Sequence, residues 1–491
     1  MWTKESLEEL IKTRLEDYLL IVVSNREPYV HTLKKGKVVC QKGAGGVITA
    51  LDPVMRTCKG IWIAQASGEA DRKVADREGK VKVPPEEPLY ELKRVWLSKE
   101  EDEGYYYGFS NEALWPLCHM AFIRPIFRES DWEYYKKVNE KFAKAVLEET
   151  KGKKAFVWIQ DYHLALLPKY LKEAQSNIIT AHFWHIPWPG PDVFRIAPHR
   201  QEILEGLLAN DLLGFHIRYN CDNFLGCVDR ELEAKIDRER YSVIKGGHET
   251  LIRPYPISVD FLDIARKADF QEVQELIGQL REEFSLNYEF VCLGLDRIDY
   301  TKGIPERLQA VGRFLDKYPQ YRERFVFIQM GEISRLHIPQ YKLLNDELNA
   351  LVEKINWKYA TEYWSPIVLV RRHLSYPELL AFYRLGNLCI VSSLHDGMNL
   401  VSKEFVSARV DLDGVLLLSQ FTGAARELTD SILINPYDTE EFADKIYQAV
   451  NLSREEREKR MLKMRKIVEF NNIYRWAGKV ISELLKFEFK E

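Results

Sequence analysis

Two cations flank one polar turn in the run Cys292-Leu-Gly-Leu-Asp296-Arg297-Ile-Asp299-Tyr-Thr-Lys302-Gly303-Ile-Pro305-Glu306-Arg307. An apolar, strand-like stretch opens there into a loop, and a helix starts near Pro305, an allowed first-turn position. The helix start adds amides without intrahelical partners and the positive end of the helix dipole. A guanidinium that grips two oxygens and a mobile ammonium together suit a diphosphate. Spacing alone leaves a second reading open, in which Arg297 and Lys302 form surface ion pairs with Asp299 or Glu306.

Four further stretches repeat this strand-then-polar-turn pattern. In Ser392-Ser-Leu-His-Asp396-Gly397-Met398-Asn399-Leu400-Val401-Ser-Lys-Glu404, a helix is expected from about Asn399, and its first amides suit sugar hydroxyls or phosphate oxygens. Asp396 and Glu404 stand about two helical turns apart, which fits two sugars of one ligand. It fits equally an N-cap aspartate followed by a solvated glutamate. Phe183-Trp184-His185-Ile-Pro187-Trp188-Pro189 is an aromatic loop stiffened by proline; taken alone, His185 reads first as a satisfied core histidine. Trp158-Ile-Gln-Asp161-Tyr-His163 and Ser24-Asn25-Arg26 end two more apolar runs, and Gly43-Ala-Gly-Gly46 lets backbone approach a ligand closely. The glycines do not form GxGxxG and lack its acidic partner, which disfavours a nicotinamide enzyme. Val410-Asp411-Leu-Asp413-Gly414-Val415 imitates the start of a haloacid-dehalogenase-type phosphatase. It has Val415 where that chemistry wants threonine, a helix before it, and too little chain after it.

These turns need elements to hold them. Buried strands are expected at 19–24, 155–159, 178–183, 212–215, 290–295, 325–330, 367–370, 388–392 and 415–418, with amphipathic helices between them. Such alternation gives α/β architecture with ligands at the carboxyl ends of parallel strands. The two prolines of Pro254-Tyr-Pro256 interrupt it, so the expected organisation is 1–257, a linker segment 258–287 that reads as charged and helical over 261–287, and 288–491, the last helix (453–490) either closing the second half or crossing back. A chain of 491 residues, 46% hydrophobic and 29% charged, suits two soluble globular domains. The net charge of −4 offers no general attraction to nucleic acid or anionic membrane. No run reaches the roughly 18 apolar residues of a membrane span, and 1–12 lacks the core of a secretion signal. Seven scattered cysteines without a CxxC pair point to reduced thiols in a cytoplasm, not to zinc or a disulfide framework.

The ordered motifs Arg297-Ile-Asp-Tyr-Thr-Lys302-Gly-Ile-Pro-Glu-Arg307, Asp396-Gly-Met-Asn-Leu-Val-Ser-Lys-Glu404, Asp161-Tyr-His-Leu and His185-Ile-Pro-Trp-Pro resemble the trehalose-6-phosphate synthase family of retaining glycosyltransferases. Phe109-Ser-Asn-Glu-Ala-Leu-Trp115-Pro and Leu418-Ser-Gln-Phe-Thr-Gly-Ala-Ala extend the likeness over about 21–485. The resemblance implies a GT-B architecture, two Rossmann-like domains facing across a cleft, with small-molecule substrates (a nucleotide sugar and a sugar phosphate), no cofactor and no metal. It implies that Arg297 and Lys302 hold the donor diphosphate and Glu404 the ribose hydroxyls. Asp396 with Gly397, Met398, Asn399, Leu400 and Val401 would hold glucosyl hydroxyls and phosphates. Gly46 would close on the donor, His185 would stand beside the transferring glucose and Asp161 at the acceptor. Arg26, Tyr106 and Arg335 would take the acceptor phosphate, with Trp115 and Trp62 lining the pocket. His185, Arg297, Lys302 and Asp396 are thus the expected catalytic set.

The implied reaction moves glucose from UDP-glucose to glucose 6-phosphate with retention. Another acceptor (glycerol 3-phosphate), another donor (ADP- or GDP-glucose) and a non-catalytic sugar-phosphate sensor are the rivals; a homo-oligomer is left open. Two stretches depart from the family pattern. Residues 30–41 are longer than usual, with a hairpin turn expected at Lys34-Lys-Gly-Lys37. Trp62-Ile-Ala-Gln-Ala-Ser-Gly68 replaces Trp-Ser-Gly.

Overall fold

The computed structural model describes every residue except 1, 16, 44, 176, 332–334, 336, 490 and 491. Ala44 of the glycine stretch and the end of the last expected helix therefore lie outside the described residues. The chain forms two compact units, one of residues 1–257 and 473–491, the other of residues 258–472.

The first unit is built on a ten-stranded sheet. Its strands are β1 (Leu19–Arg26), β4 (Ile61–Gln65), β5 (Lys80–Val83), β6 (Tyr90–Val95), β7 (Ala155–Gln160), β8 (Ile178–Phe183), β9 (Leu212–Phe215), β10 (Lys235–Asp237), β11 (Ser242–Lys245) and β12 (His248–Pro254); β2 (Tyr29–Lys34) and β3 (Lys37–Lys42) form a separate hairpin. The order is β10-β11-β12-β9-β8-β7-β1-β4-β6-β5, and the seven strands from β12 to β6 run parallel. Every residue of β7, β8 and β9 is buried, because helices cover both faces. The strand order reverses between β1 and β7, so the carboxyl ends of these two strands open the crevice where such sheets bind ligands.

The second unit carries six parallel strands, β13 (Phe290–Leu295), β14 (Phe325–Met330), β15 (Ile367–Val370), β16 (Leu388–Val391), β17 (Val415–Ser419) and β18 (Ile432–Ile434). Their order, β15-β14-β13-β16-β17-β18, is the Rossmann order 3-2-1-4-5-6, which reverses between β13 and β16. The Arg297–Lys302 turn follows β13 and the Asp396–Glu404 segment follows β16, so the fold delivers both to one switch point.

Segment 258–287, expected as a linker, carries two helices of the second unit, Phe261–Ala268 and Gln271–Glu283. Phe261, Ile264, Ala268, Val273 and Leu280 are buried, and Arg384 donates to the Ala268 carbonyl at 3.1 Å. Their apolar stripes, sparse within a charged sequence, make them part of that core. The expected last helix is two. Arg454–Phe470 stays with the second unit, whereas Ile473–Leu484 returns to the first and lays Trp476 against Trp158 at 4.7 Å and Phe183 at 5.1 Å between ring centroids.

The hairpin β2–β3 turns at Lys35 (φ 50°) and Gly36 (φ 75°). Two successive left-handed residues make the turn whose twist matches the strands.

Candidate active site

In the second unit, β13 ends and the chain makes a short 3₁₀ turn, Tyr300–Lys302, before the helix Ile304–Lys317. Asp299 caps that turn: its Oδ1 accepts from the Thr301 amide at 3.0 Å and from the Thr301 hydroxyl at 2.9 Å. Gly303 links turn to helix at φ 60°, and a Cβ there would collide with the Ser392 carbonyl. Only glycine therefore lets the phosphate-turn candidate lie this close to the end of β16.

Lys302 does not pair with Asp299 or Glu306. Its Nζ donates to Asp396 Oδ2 at 2.6 Å, each side chain being 14% exposed. Burial works against the ammonium, but Asp396, Asp296 and Asp299 outweigh it and hold Lys302 above its ordinary value, fully charged. Asp396 Oδ2 also accepts from Ser393 Oγ at 3.1 Å and Asn399 Nδ2 at 3.3 Å. The helix cap is Asn399 (φ 73°), whose Oδ1 takes the Ser402 amide at 3.1 Å. Asp396 is thus free of the capping duty that its sequence position offered. The amides of Leu400 and Val401 open the helix Leu400–Ala408 and have no intrahelical acceptor. Behind them, Gly423 and Ala424 donate to the Asp396 and Met398 carbonyls at 3.2 and 2.9 Å, bracing Gly397 and Met398 from below.

Glu404 is half-buried, and its Oε2 accepts from Tyr383 Oη at 2.9 Å. Burial pushes its carboxyl up to about 7 against that hydrogen bond. Arg297 is exposed and acts, with Arg335 and Lys302, to hold the buried Asp299 below the ordinary carboxylate range despite its burial. Arg335 (φ 55°) belongs to this second unit; it donates to Tyr341 Oη at 2.6 Å and stands 3.7 Å from Asp299 Oδ2. Beneath the turn, Arg307 is wholly buried, bonding Asp296 at 2.6 Å, Ser392 at 2.9 Å and Gln329 at 3.1 Å. The bracing role of Arg307 depends on β14, β13 and β16 lying side by side, which the motif around it does not encode.

In the first unit, contacts join five of the expected residues. Arg26 Nη2 donates to Tyr106 Oη at 2.8 Å, and its guanidinium lies 4.6 Å above that ring. Tyr106 stacks on His163, which packs on Tyr162, which meets Trp115 at 5.8 Å. Tyr106 lies in an underwound π-helical stretch, Glu103–Leu114, held where Asn111 bridges the Tyr106 carbonyl (2.6 Å) and Tyr162 Oη (2.9 Å). Asp161, left-handed at φ 72°, accepts from the amides of Tyr162 at 3.0 Å and His185 at 3.1 Å. Both amides tie it to its turn.

His185 is a buried histidine with a definite tautomer. Burial, then the imidazoles of His216, His182 and His163, hold it well below the ordinary histidine range, so the ring is neutral. Its Nε2 faces Gln160 Oε1 at 2.8 Å, an oxygen that only accepts. The proton is therefore on Nε2 and the lone pair on Nδ1.

Gly46 opens the helix Gly46–Cys58 behind Gly45 at φ 128°. The expectation that Trp62 lines a pocket is corrected. Its side chain points into the core from β4 with no exposure, and its indole donates to Ser24 Oγ at 2.8 Å. The strand carries Trp62 well short of its carboxyl end, where Gln65 stands instead. Among the described residues, no group of three or more His, Cys, Asp or Glu side chains converges as a metal site, and no helix is long and apolar enough to cross a membrane.

Two Rossmann-like sheets, with a cation–carboxylate pair at the switch point of the second, define a glycosyltransferase of the GT-B class. The chain belongs to glycosyltransferase family 20, whose model matches residues 18–486. It is 37% identical over 477 residues to the trehalose-6-phosphate synthase of Mycolicibacterium smegmatis, covering 94% of this chain and 92% of that protein. The trehalose-6-phosphate synthase of Mycobacterium marinum is 35% identical over 491 residues, 98% of this chain and 96% of the relative. Among solved structures, one from E. coli bound with UDP-2-fluoro glucose superposes with a TM-score of 0.85 at 31% identity, covering 96% of this chain and 100% of that one. The UDP-forming α,α-trehalose-phosphate synthase of Burkholderia xenovorans, in complex with glucose-6-phosphate, gives a TM-score of 0.85 at 27% identity over 95% and 99% of the two chains.

Proposed function

We propose that this enzyme transfers glucose from UDP-glucose to glucose 6-phosphate with retention, yielding α,α-trehalose 6-phosphate and UDP. The observation that carries the reading is the Lys302–Asp396 pair at the β13/β16 switch point, together with relatives of that activity matched over nearly their whole length. Lys302 and the exposed Arg297 take the diphosphate, and the amides of Leu400 and Val401 assist from the helix N-terminus. Asp396 accepts from glucosyl hydroxyls, and Glu404 as carboxylate accepts from the ribose. Arg26 and Tyr106 receive the acceptor phosphate, with Trp115 and Asp161 beside the acceptor sugar. Gly46 supplies backbone to the donor.

In the step itself, the bond from C1 to the diphosphate oxygen breaks and a bond from C1 to the acceptor hydroxyl forms on the same face. The hydroxyl proton passes to the departing phosphate oxygen. Asp161 accepts two backbone amides in a fixed turn, which suits it to position the acceptor and not to attack C1. Neutral His185 offers a lone pair at Nδ1 and contributes no charge that would oppose positive charge growing at C1. Lys302 and Arg297 stabilise the charge collecting on the leaving group. Seven free cysteines, six of them buried, fit a reducing cytoplasm.

The test is nucleotide release from UDP-, ADP- and GDP-glucose with glucose 6-phosphate or glycerol 3-phosphate. The reading expects fastest release from UDP-glucose with glucose 6-phosphate. Release only with glycerol 3-phosphate, or none with any pair, contradicts it.

A further inference from the structure

Beneath the end of β1 lies a buried ionic cluster that the transfer chemistry does not use. Glu27, Asp71, Arg94 and His31 are 1%, 0%, 2% and 6% exposed. Arg94, on β6, donates from Nε to Glu27 Oε2 at 2.8 Å. Its Nη2 meets Asp71 Oδ1 at 2.9 Å, the Tyr29 carbonyl at 3.1 Å and His31 Nδ1 at 2.8 Å. A guanidinium only donates, so His31 Nδ1 is bare and the ring is neutral. That leaves one cation facing two carboxylates away from water.

The carboxylates are close neighbours. The Ser67 amide donates to Glu27 Oε1 at 2.7 Å and to Asp71 Oδ2 at 3.2 Å. Asp71 is the better satisfied, with further donors in the Gly68 amide (2.7 Å) and the His31 amide (2.9 Å). Glu27 has Arg94, the Ser67 amide and the Ser67 hydroxyl at 2.8 Å. An excess buried carboxylate is more stable protonated, and the proton belongs on Glu27, because the Ser67 hydroxyl, which donates to a carboxylate Oε1, can turn and accept from the protonated acid instead.

The cluster fastens three pieces of chain. The His31 carbonyl accepts from the Ala70 amide at 3.0 Å, and the Leu33 amide donates to Glu69 at 2.8 Å, so the hairpin β2–β3 hangs on the turn 67–71. The Gly43 amide donates to the Pro28 carbonyl at 2.8 Å, closing the hairpin just before Gly46. Arg26 is the residue next to Glu27. We propose that Glu27 is a positioning residue: its proton, kept within the Arg94–Asp71–His31 cluster, locks the hairpin and the 67–71 turn and so sets Arg26 and Gly46 for substrate. The inference rests on the reading of Arg26 and Gly46 as substrate-binding.

Burial first, then Asp71, raises Glu27 above its ordinary 4.5 to about 7, with Arg94 opposing. Other titratable groups near it are Cys40 on β3, held protonated by burial and then Glu86, and Glu69 on the turn. Because the folded value is raised, the stability that Glu27 contributes is full below about 4.5 and is lost as pH rises through about 7.

The experiment compares wild type with Glu27→Gln, whose amide can donate to Ser67 Oγ as the protonated acid does. Acceptor KM and the unfolding midpoint are followed against pH at saturating donor. In wild type, acceptor KM should rise roughly eightfold between about pH 6.5 and pH 8 relative to the variant, as loss of one proton with a midpoint near 7 requires when the deprotonated form does not bind acceptor. The wild-type unfolding midpoint should fall over about pH 5 to 7.5 while that of Glu27→Gln stays level. Parallel pH profiles of the two proteins overturn the proposal. A flat wild-type acceptor KM above about pH 6.5 overturns it even if the variant does not fold. Should no glucosyl transfer occur at any pH, the function reading fails instead, and the unfolding profiles still decide the cluster.

Discussion

Lys302→Met removes the ammonium from the switch point while keeping its stem packed. In the free enzyme that ammonium donates to Asp396 at 2.6 Å with both side chains 14% exposed, an environment between solvent and dry interior. A unit charge about 4 Å from a phosphate oxygen is worth about 4 kcal/mol at an effective dielectric near 20. Losing one preorganised group at a developing anion costs about 3–4 kcal/mol, or roughly 100- to 1,000-fold in kcat. The free protein should lose less. Asp396 keeps its bonds from Ser393 and Asn399, so unfolding stability should fall by only about 1–3 kcal/mol. Steady-state UDP release, measured beside denaturant unfolding, separates the two effects. In the double variant with Asp396→Asn, part of the stability loss should return because no unpaired carboxylate remains, while turnover stays low. Turnover of Lys302→Met within about threefold of wild type, with intact folding, would refute the diphosphate role.

Three other outcomes follow from the same geometry. Glu404 sits near 7 in the free enzyme and is proposed to bind ribose as the carboxylate, so donor KM should fall as pH rises from about 6 to 8, and Glu404→Gln should erase that slope; a wild-type donor KM independent of pH contradicts it. Tyr106→Phe deletes the 2.8 Å hydrogen bond from Arg26 and should raise acceptor KM about three- to tenfold, a loss of about 1 kcal/mol, with donor KM unchanged. Arg307→Met leaves Asp296 buried without its 2.6 Å partner, where burial already raises its carboxyl. Denaturant unfolding should show a loss of about 3–5 kcal/mol, and a loss under about 1 kcal/mol would contradict the bracing role.

The strands that read clearly in the sequence are those buried on both faces, such as Phe290–Leu295, where every position is apolar or glycine. Edge strands were illegible for the opposite reason: Lys80–Val83 alternates charge with valine, and Lys235–Asp237 has a single apolar residue. Within the site, spacing could propose Arg297 and Lys302 as a pair of cations, but not that Lys302 meets Asp396 ninety-four residues away. That contact depends on β13 and β16 being neighbours, which is a property of sheet order. The same limit hid the bracing role of Arg307 and misplaced Trp62, whose depth along β4 no motif encodes. The charged segment 261–287 reads as helical from its sequence, but its place in the second unit's core did not show, because only five buried apolar side chains anchor its two helices.

Transfer of glucose with retention onto glucose 6-phosphate is tested most directly by the linkage of the product. The purified protein, supplied with UDP-glucose and glucose 6-phosphate, should yield a non-reducing disaccharide phosphate whose two anomeric protons both show α coupling by NMR. A β coupling at the transferred glucose, a product with a free reducing end, or UDP release accompanied only by free glucose would contradict it.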